Sequence, residues 1–466
     1  MSHLGDTAAR PLRVVQAMAR EVRRLAERTP PQRERHVDFL RAIAIVAVVL
    51  GHWLAVYVTH DKAFQGGSIL DVVSWTRWLT WLFQVMPLFF LVGGFANAAS
   101  FTSHRRRGGN ATGWVLGRTA RLLRPTTILL GGLAVAAAVA RIFGAEPALI
   151  GVAVWVASIP LWFLVAYIAV VVLTPPMHAL HRRTGLAVPV VLAALVGGGD
   201  LARLVLAVPY VGEANFLLAW LAVHQLGFAW QDGRLPSRRS VPVAMAAAGL
   251  IALVLLTVVG PYPVSMVELA GGKVQNTSPP TLALLALALT QVGIALWARD
   301  RANRWLRGPG PWTVVVAVNS VIMTLFLWHM AAVVIGVGAF YGPNVMPAAA
   351  PGSALWLLLR IPWLVFLALI LALLVVVFGP FEQRRGPRAD PVGAVRGKAA
   401  AALTIAGVGA VLAGLFGLTQ AGPRYHGPVG LPVGVLIAYF SGVAVLGYVR
   451  WRHSRPTHEG DRADIS

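Results

Sequence analysis

Long apolar stretches separated by short basic clusters set the pattern of this chain. The stretches fall near 40–59, 79–101, 126–143, 153–174, 186–206, 214–231, 241–260, 281–298, 313–336, 355–378, 399–419 and 431–450. Each is long enough, at about 1.5 Å per helical residue, to cross a hydrocarbon core roughly 30 Å thick. The pattern therefore predicts an all-α polytopic membrane protein with about twelve transmembrane helices. Only the fifth stretch is interrupted, by Gly197, Gly198, Gly199 and Asp200, which reads as a short, tilted or partly re-entrant segment. The connections are short, so chemistry is expected within or at the membrane.

The basic residues give the topology. They cluster in the N-terminal region (Arg10, Arg13, Arg20, Arg23, Arg24, Arg28, Arg33, Arg35), in 102–125, and at Arg182 and Arg183. They recur at Arg234, Arg238 and Arg239, at Arg299, Arg301, Arg304 and Arg307, at Arg384, Arg385, Arg388, Arg396 and Lys398, and at Arg450, Arg452 and Arg455. Every second connection is basic, and Asp61, Asp71, Glu146, Asp200, Glu213 and Glu268 lie in those between. Arg and Lys beside a span resist translocation, so both termini are expected on the cytoplasmic side of a cell (plasma or inner) membrane. The long first apolar stretch behind a basic segment is not the short core of a cleavable signal peptide.

Composition agrees. Of 466 residues, 57% are hydrophobic and 12% charged, against about 25% charged in soluble domains. The net charge of +22 then reflects topology, with added attraction to anionic membrane lipid, and no nucleic acid partner is expected. Cysteine is absent, which excludes disulfides, thiolate metal sites and cysteine nucleophiles. Four segments follow: a basic cytoplasmic tail over 1–36, a membrane domain over 37–386, a Pro/Gly/Arg-rich linker with two further transmembrane helices over 387–451, and a cytoplasmic tail over 452–466. Phosphate-cradling loops, dinucleotide fingerprints and nucleophile elbows are not found. His178 and His181 lack nearby carboxylates, so no metal site is expected.

Candidate chemistry begins with Asp38-Phe-Leu-Arg41 and His52. Eleven helical steps return to within about 20° of the starting direction, so Arg41 and His52 share a face, roughly 16 Å apart along the axis. With Arg41 at a membrane edge, His52 falls near mid-depth, where an ionisable side chain marks a site. A neutral imidazole there suits a general base toward a hydroxyl. Asp38 can pair with Arg41 at i,i+3. His329, late in the ninth stretch, is expected toward the outer side, where it could meet His52 or simply pack. His224 is a weaker third candidate. Pro87 is expected to kink the second span, with Gly93 and Gly94 forming a packing seam or groove. Arg118, Arg121 and Arg124, before Pro125, suggest a cationic edge that suits phosphate or only records topology. Trp162 lines a cavity or anchors the interface.

Together, Asp38-Phe-Leu-Arg41 with His52, Pro87-Leu-Phe-Phe-Leu-Val-Gly-Gly-Phe95, Arg118-x-x-Arg121, Pro160-Leu-Trp162-Phe-Leu and His329 resemble the acyltransferase 3 family of integral membrane acyltransferases. The resemblance covers roughly 36–380 and implies a ten-helix core followed here by two extra helices. It implies transfer of an acyl group, often acetyl, from cytoplasmic acyl-CoA to a hydroxyl of an extracytoplasmic glycan, lipid or related acceptor, with no bound cofactor. Arg41, His52, Arg118 and Arg121 would be the critical positions, the last two near the CoA phosphates. Gly93 departs from the serine common at its place, and the last two spans exceed the usual core. His52 could act as base or carry the acyl group transiently. The competing class is a transporter or exporter, which twelve spans would suit, although the halves show no repeat; a scaffold is a third. Nothing in the sequence sets an oligomeric state.

Overall fold

The computed structural model describes residues 16–30, 32–60, 64–235, 238–272, 274–341, 349–383, 395, 397–422 and 430–454. Asp61, Arg10, Arg13, most of the expected linker (384–394 and 396) and the closing segment 455–466 lie outside the described residues. After a helix α1 over 16–27 come α2 (Arg35–Ala55), α3 (Met86–Arg106), α4 (Ala111–Ile142), α5 (Pro147–Ser158) and α6 (Leu161–Thr184). Then follow α7 (Ala187–Leu204), α8 (Asn215–Gln231), α9 (Ser240–Val254), α10 (Leu282–Trp305) and α11 (Pro309–Ser320). The last four are α12 (Ile322–Tyr341), α13 (Ala354–Gln383), α14 (Lys398–Gln420) and α15 (Val433–Ser454). Among the described residues the strands are one antiparallel hairpin, β1 (Val56–His60) with β2 (Phe64–Ser68).

The protein is an all-α polytopic membrane protein: among the described residues, eleven helices are long and apolar enough to cross a membrane. The expected span at 214–231 forms α8, only 17 residues long. Most of α8 is buried, Trp220 stacking on Phe90 at 4.5 Å, and a helix enclosed by protein need not match the bilayer as a lipid-facing one must.

Four expectations change. The ninth stretch is not one helix: it breaks at Val321 (φ −130°, ψ 22°) between α11 and α12. The N–H groups at the new start do not go unmet, because Met323 and Thr324 donate to the Glu382 carboxylate at 3.0 and 2.8 Å. The fourth stretch likewise divides around Ile159 and Pro160. The fifth does the opposite, remaining continuous through Gly197–Gly199. There the absent side chains admit neighbours, Gly197 facing Leu282 and Gly199 facing Asn215. Asp200 is buried but satisfied, accepting from Asn215 Nδ2 (3.1 Å), Tyr262 Oη (2.9 Å) and the Leu282 N–H (2.8 Å). Burial and this carboxylate push the Tyr262 phenol upward, which keeps it a donor. Pro87, finally, is the second residue of α3, where a missing N–H costs nothing, so it opens the helix instead of kinking it.

The chain divides into two compact units, Met1–Ala98 with Pro176–Gln383, and Ala99–Pro175 with Arg384–Ser466. In the first, Ala42, Leu306, Trp312 and Val315 form one core cluster. Gly94 of α3 and Gly227 of α8 meet backbone to backbone, a methyl on Gly227 falling 2.8 Å from the Gly94 Cα. At Gly94 the double glycine is thus a packing seam. In the second unit, α14 and α15 pack on each other and on α4 and α5, with Ala137, Ile150, Val154 and Leu431 in one cluster.

Candidate active site

Helix α2 places the first group of residues. It begins at Arg35, six residues before Arg41, and ends at Ala55, so His52 stands in its last turn and not at its middle. The face between Arg41 and His52 turns inward, Ile45 and Val48 being buried. Arg41 itself is 30% exposed at its side chain. Asp38 pairs more closely with Arg33 than with Arg41. Arg33 donates from Nε and Nη2 at 2.7 and 3.0 Å, whereas Arg41 Nη1 lies 3.7 Å away. The fork geometry of a guanidinium on a carboxylate explains the preference. It also raises the Arg33 guanidinium further above its usual range.

His52 and His329 meet. Their ring centroids are 5.1 Å apart and the planes tilt by 56°. His52 Nδ1 lies 2.9 Å from Val48 O, and His329 Nδ1 lies 2.7 Å from Phe326 O. A carbonyl oxygen can only accept, so each Nδ1 carries a proton, and in the neutral form of the ring Nε2 is then the lone-pair nitrogen. His329 is 0% exposed, and its Nε2 is buried with no hydrogen-bond partner among the described residues. Each imidazole is thus tied to its own helix by one nitrogen and leaves the other able to accept a proton.

Neighbouring groups fix this pair. Trp53 Nε1 donates to His329 O at 3.0 Å, joining α2 to α12 beside the two rings. Arg360 of α13 donates to Val56 O at 2.5 Å and to Trp53 O at 3.4 Å, holding carbonyls at the end of α2 that have no partner within the helix. Its guanidinium also lies over the Trp356 ring at 3.9 Å. Trp53 further walls an apolar cleft of about 830 Å³ with Ile45, Val49, Leu50, Leu371 and Val375. The sequence reading missed Arg360, although a lone arginine inside the apolar stretch 355–378 is the signal that marks it. It missed Glu382 as well, whose partners at 323 and 324 are distant in sequence.

The remaining candidates lie elsewhere. Arg118, Arg121 and Trp162 belong to the second unit. The arginines sit in the first half of the 32-residue α4, which also contains Pro125 and continues into the apolar run that follows it. Arg118 is half-buried and Arg121 exposed, with Nε donating to Gly117 O at 3.3 Å. Trp162 is half-buried with its ring edge to Phe163. His224 contacts Asn97 Nδ2 at 3.1 Å and the Phe228 ring, apart from the histidine pair in the contacts it makes. Among the described residues no three His, Asp or Glu side chains group closely enough to hold a metal ion.

Apolar helices around an inward-facing histidine pair define a polytopic membrane protein with a candidate site for proton-transfer chemistry between its helices. The family model described as an acyltransferase domain, of the acyltransferase 3 type, matches residues 35–382. The chain belongs to this family, and it is an enzyme that transfers acyl groups other than amino-acyl groups. The match contains both histidines, Arg41 and the arginines of α4, and stops before α14. No curated protein and no solved structure matches the chain.

Proposed function

We propose that this membrane acyltransferase moves an acyl group, acetyl in the simplest case, from cytoplasmic acyl-CoA to a hydroxyl of an extracytoplasmic glycan, lipid or related acceptor, in a plasma or inner membrane. The observation that carries the reading is the His52–His329 pair, with both Nδ1 atoms committed to carbonyls and both Nε2 atoms left as acceptors. His52 Nε2 takes the acceptor's hydroxyl proton as its oxygen attacks the thioester carbonyl; the C–S bond then breaks, and the CoA thiolate leaves with the proton that His52 held. His329 accepts a hydrogen bond from the protonated His52, directly or through water. Arg118 and Arg121 hold the CoA phosphates. Arg41, steadied by Asp38, orients the entering thioester, and Trp162 lines the donor's path. Family membership favours this enzyme over an exporter.

The test is acyl transfer in proteoliposomes with labelled acetyl-CoA on the cytoplasmic face, comparing wild type with His52→Ala while following label on CoA, protein and extracted envelope acceptors. Label passing from CoA to acceptor only with His52 supports the reading, and label accumulating on protein would replace base catalysis by an acyl-histidine relay. Equal CoA consumption by both proteins would overturn it.

A further inference from the structure

Helices α14 and α15 lie beyond the family match, and the mechanism above gives them no part. Their contacts with α4 are placed in a telling way. At the start of α4, Asn110 Oδ1 accepts from the Gly113 N–H at 2.9 Å and so caps the helix. The same amide clasps Val395, just before α14: Nδ2 donates to Val395 O at 2.8 Å, and the Val395 N–H donates to Oδ1 at 3.2 Å. Farther along, Tyr439 of α15, 0% exposed, places its hydroxyl 3.3 Å from Leu123 O and 3.0 Å from Thr127 Oγ1. The tyrosine donates to the carbonyl and accepts from the threonine. Arg118 and Arg121 lie between these two fastening points, and Arg124 lies within the second.

The second point coincides with a weakness in α4. Pro125 has no N–H to offer the carbonyl of Arg121, and its ring crowds that carbonyl, so the helix is least able to hold its own shape where the arginines project. Tyr439 bridges this turn from Leu123 to Thr127. Its own place is set by Gly414 of α14, where a methyl group would fall 2.7 Å from the Tyr439 N and Cβ. The bare glycine lets the two helices touch and delivers the hydroxyl to α4.

We infer that the C-terminal helix pair is a positioning element for the arginine stretch of α4, with Tyr439 as the positioning residue at Pro125. The inference rests on the proposal that Arg118 and Arg121 bind the phosphates of the donor. It is tested on the full-length protein in proteoliposomes with acetyl-CoA as the varied substrate. Tyr439→Phe keeps the ring and removes the hydroxyl; Thr127→Val removes its side-chain partner. Each is expected to raise KM for acetyl-CoA about three- to tenfold and the inhibition constant of free CoA in parallel, with kcat within about twofold of wild type. The double variant is expected to lose no more than Tyr439→Phe alone, because both act through one hydroxyl. Arg118→Ala and Arg121→Ala serve as the reference. If they raise KM while Tyr439→Phe and Thr127→Val leave it at the wild-type value, the positioning role is overturned and the phosphate reading stands. If the arginine variants leave KM unchanged, both fall. A Tyr439→Phe protein that melts earlier and loses kcat at unchanged KM would reduce the tyrosine to a packing role and overturn the inference.

Discussion

If His329 stabilises the protonated state of His52, the two histidines act as a unit, and a double-mutant cycle reads this directly. Both rings are anchored through Nδ1 and lie 5.1 Å apart between centroids, so the two imidazoles are direct neighbours. A positioned general base is worth about 10²–10⁴ in rate, so His52→Ala is expected to lower kcat by that factor, roughly 3–5 kcal/mol. Loss of a hydrogen bond to a charged group costs about 1.5–3 kcal/mol, so His329→Gln, which limits the cavity left by the ring, is expected to lower kcat roughly 10- to 150-fold. Independent residues would multiply these losses in the double variant. Coupled ones leave it no slower than His52→Ala alone, since no proton remains on His52 to stabilise. The assay is transfer of labelled acetyl groups in proteoliposomes at saturating donor, with melting temperatures recorded to confirm folding. A double variant as slow as the product of the two singles would refute the coupling and leave His329 as packing.

Arg360→Ala is expected to cost about 2–4 kcal/mol through the carbonyls at the end of α2 and the Trp356 stack, and to lower kcat more than KM because the turn bearing His52 loosens; Arg360→Lys, which keeps the charge but not the fork, should fall between. Steady-state kinetics alongside thermal melting would check both, and a wild-type kcat would contradict the role. Gly94→Ala drives a methyl into the backbone of α8 at His224 and Gly227, with an expected destabilisation of about 1–3 kcal/mol or more; an unchanged melting temperature would show that the seam can open. Asp38→Asn removes the charge and one of the two acceptor oxygens of the Arg33 fork, and because Arg33 is half exposed the expected loss is about 1–2 kcal/mol. Its readout is melting temperature, together with a rise in KM if Arg41 depends on the same carboxylate.

Features that depend on local patterning were legible in the sequence; those that depend on a distant partner were not. Apolar length identified the stretches that became membrane-long helices, and the eleven-residue spacing put Arg41 and His52 on one inward face. The histidine meeting was one allowed outcome among others, and the structure brings it about by breaking the ninth stretch at Val321. That break has no local signature, because the carboxylate that makes it tolerable, Glu382, lies 58 residues beyond Thr324. The glycines at 197–199 misled for the same reason: read alone they weaken a helix, whereas beside Asn215 and Leu282 they are the surface on which neighbours rest. Arg360 was visible in principle, since one guanidinium in an apolar run needs a partner, but only the fold shows that the partners are the carbonyls closing α2. The C-terminal helices are the extreme case. Their composition of Ala, Gly, Val and Leu carries no chemistry of its own. They meet α4 and α5 through apolar packing that composition does not single out, and through two polar contacts, Tyr439 on Leu123 and Asn110 on Val395, whose partners lie hundreds of residues away in sequence.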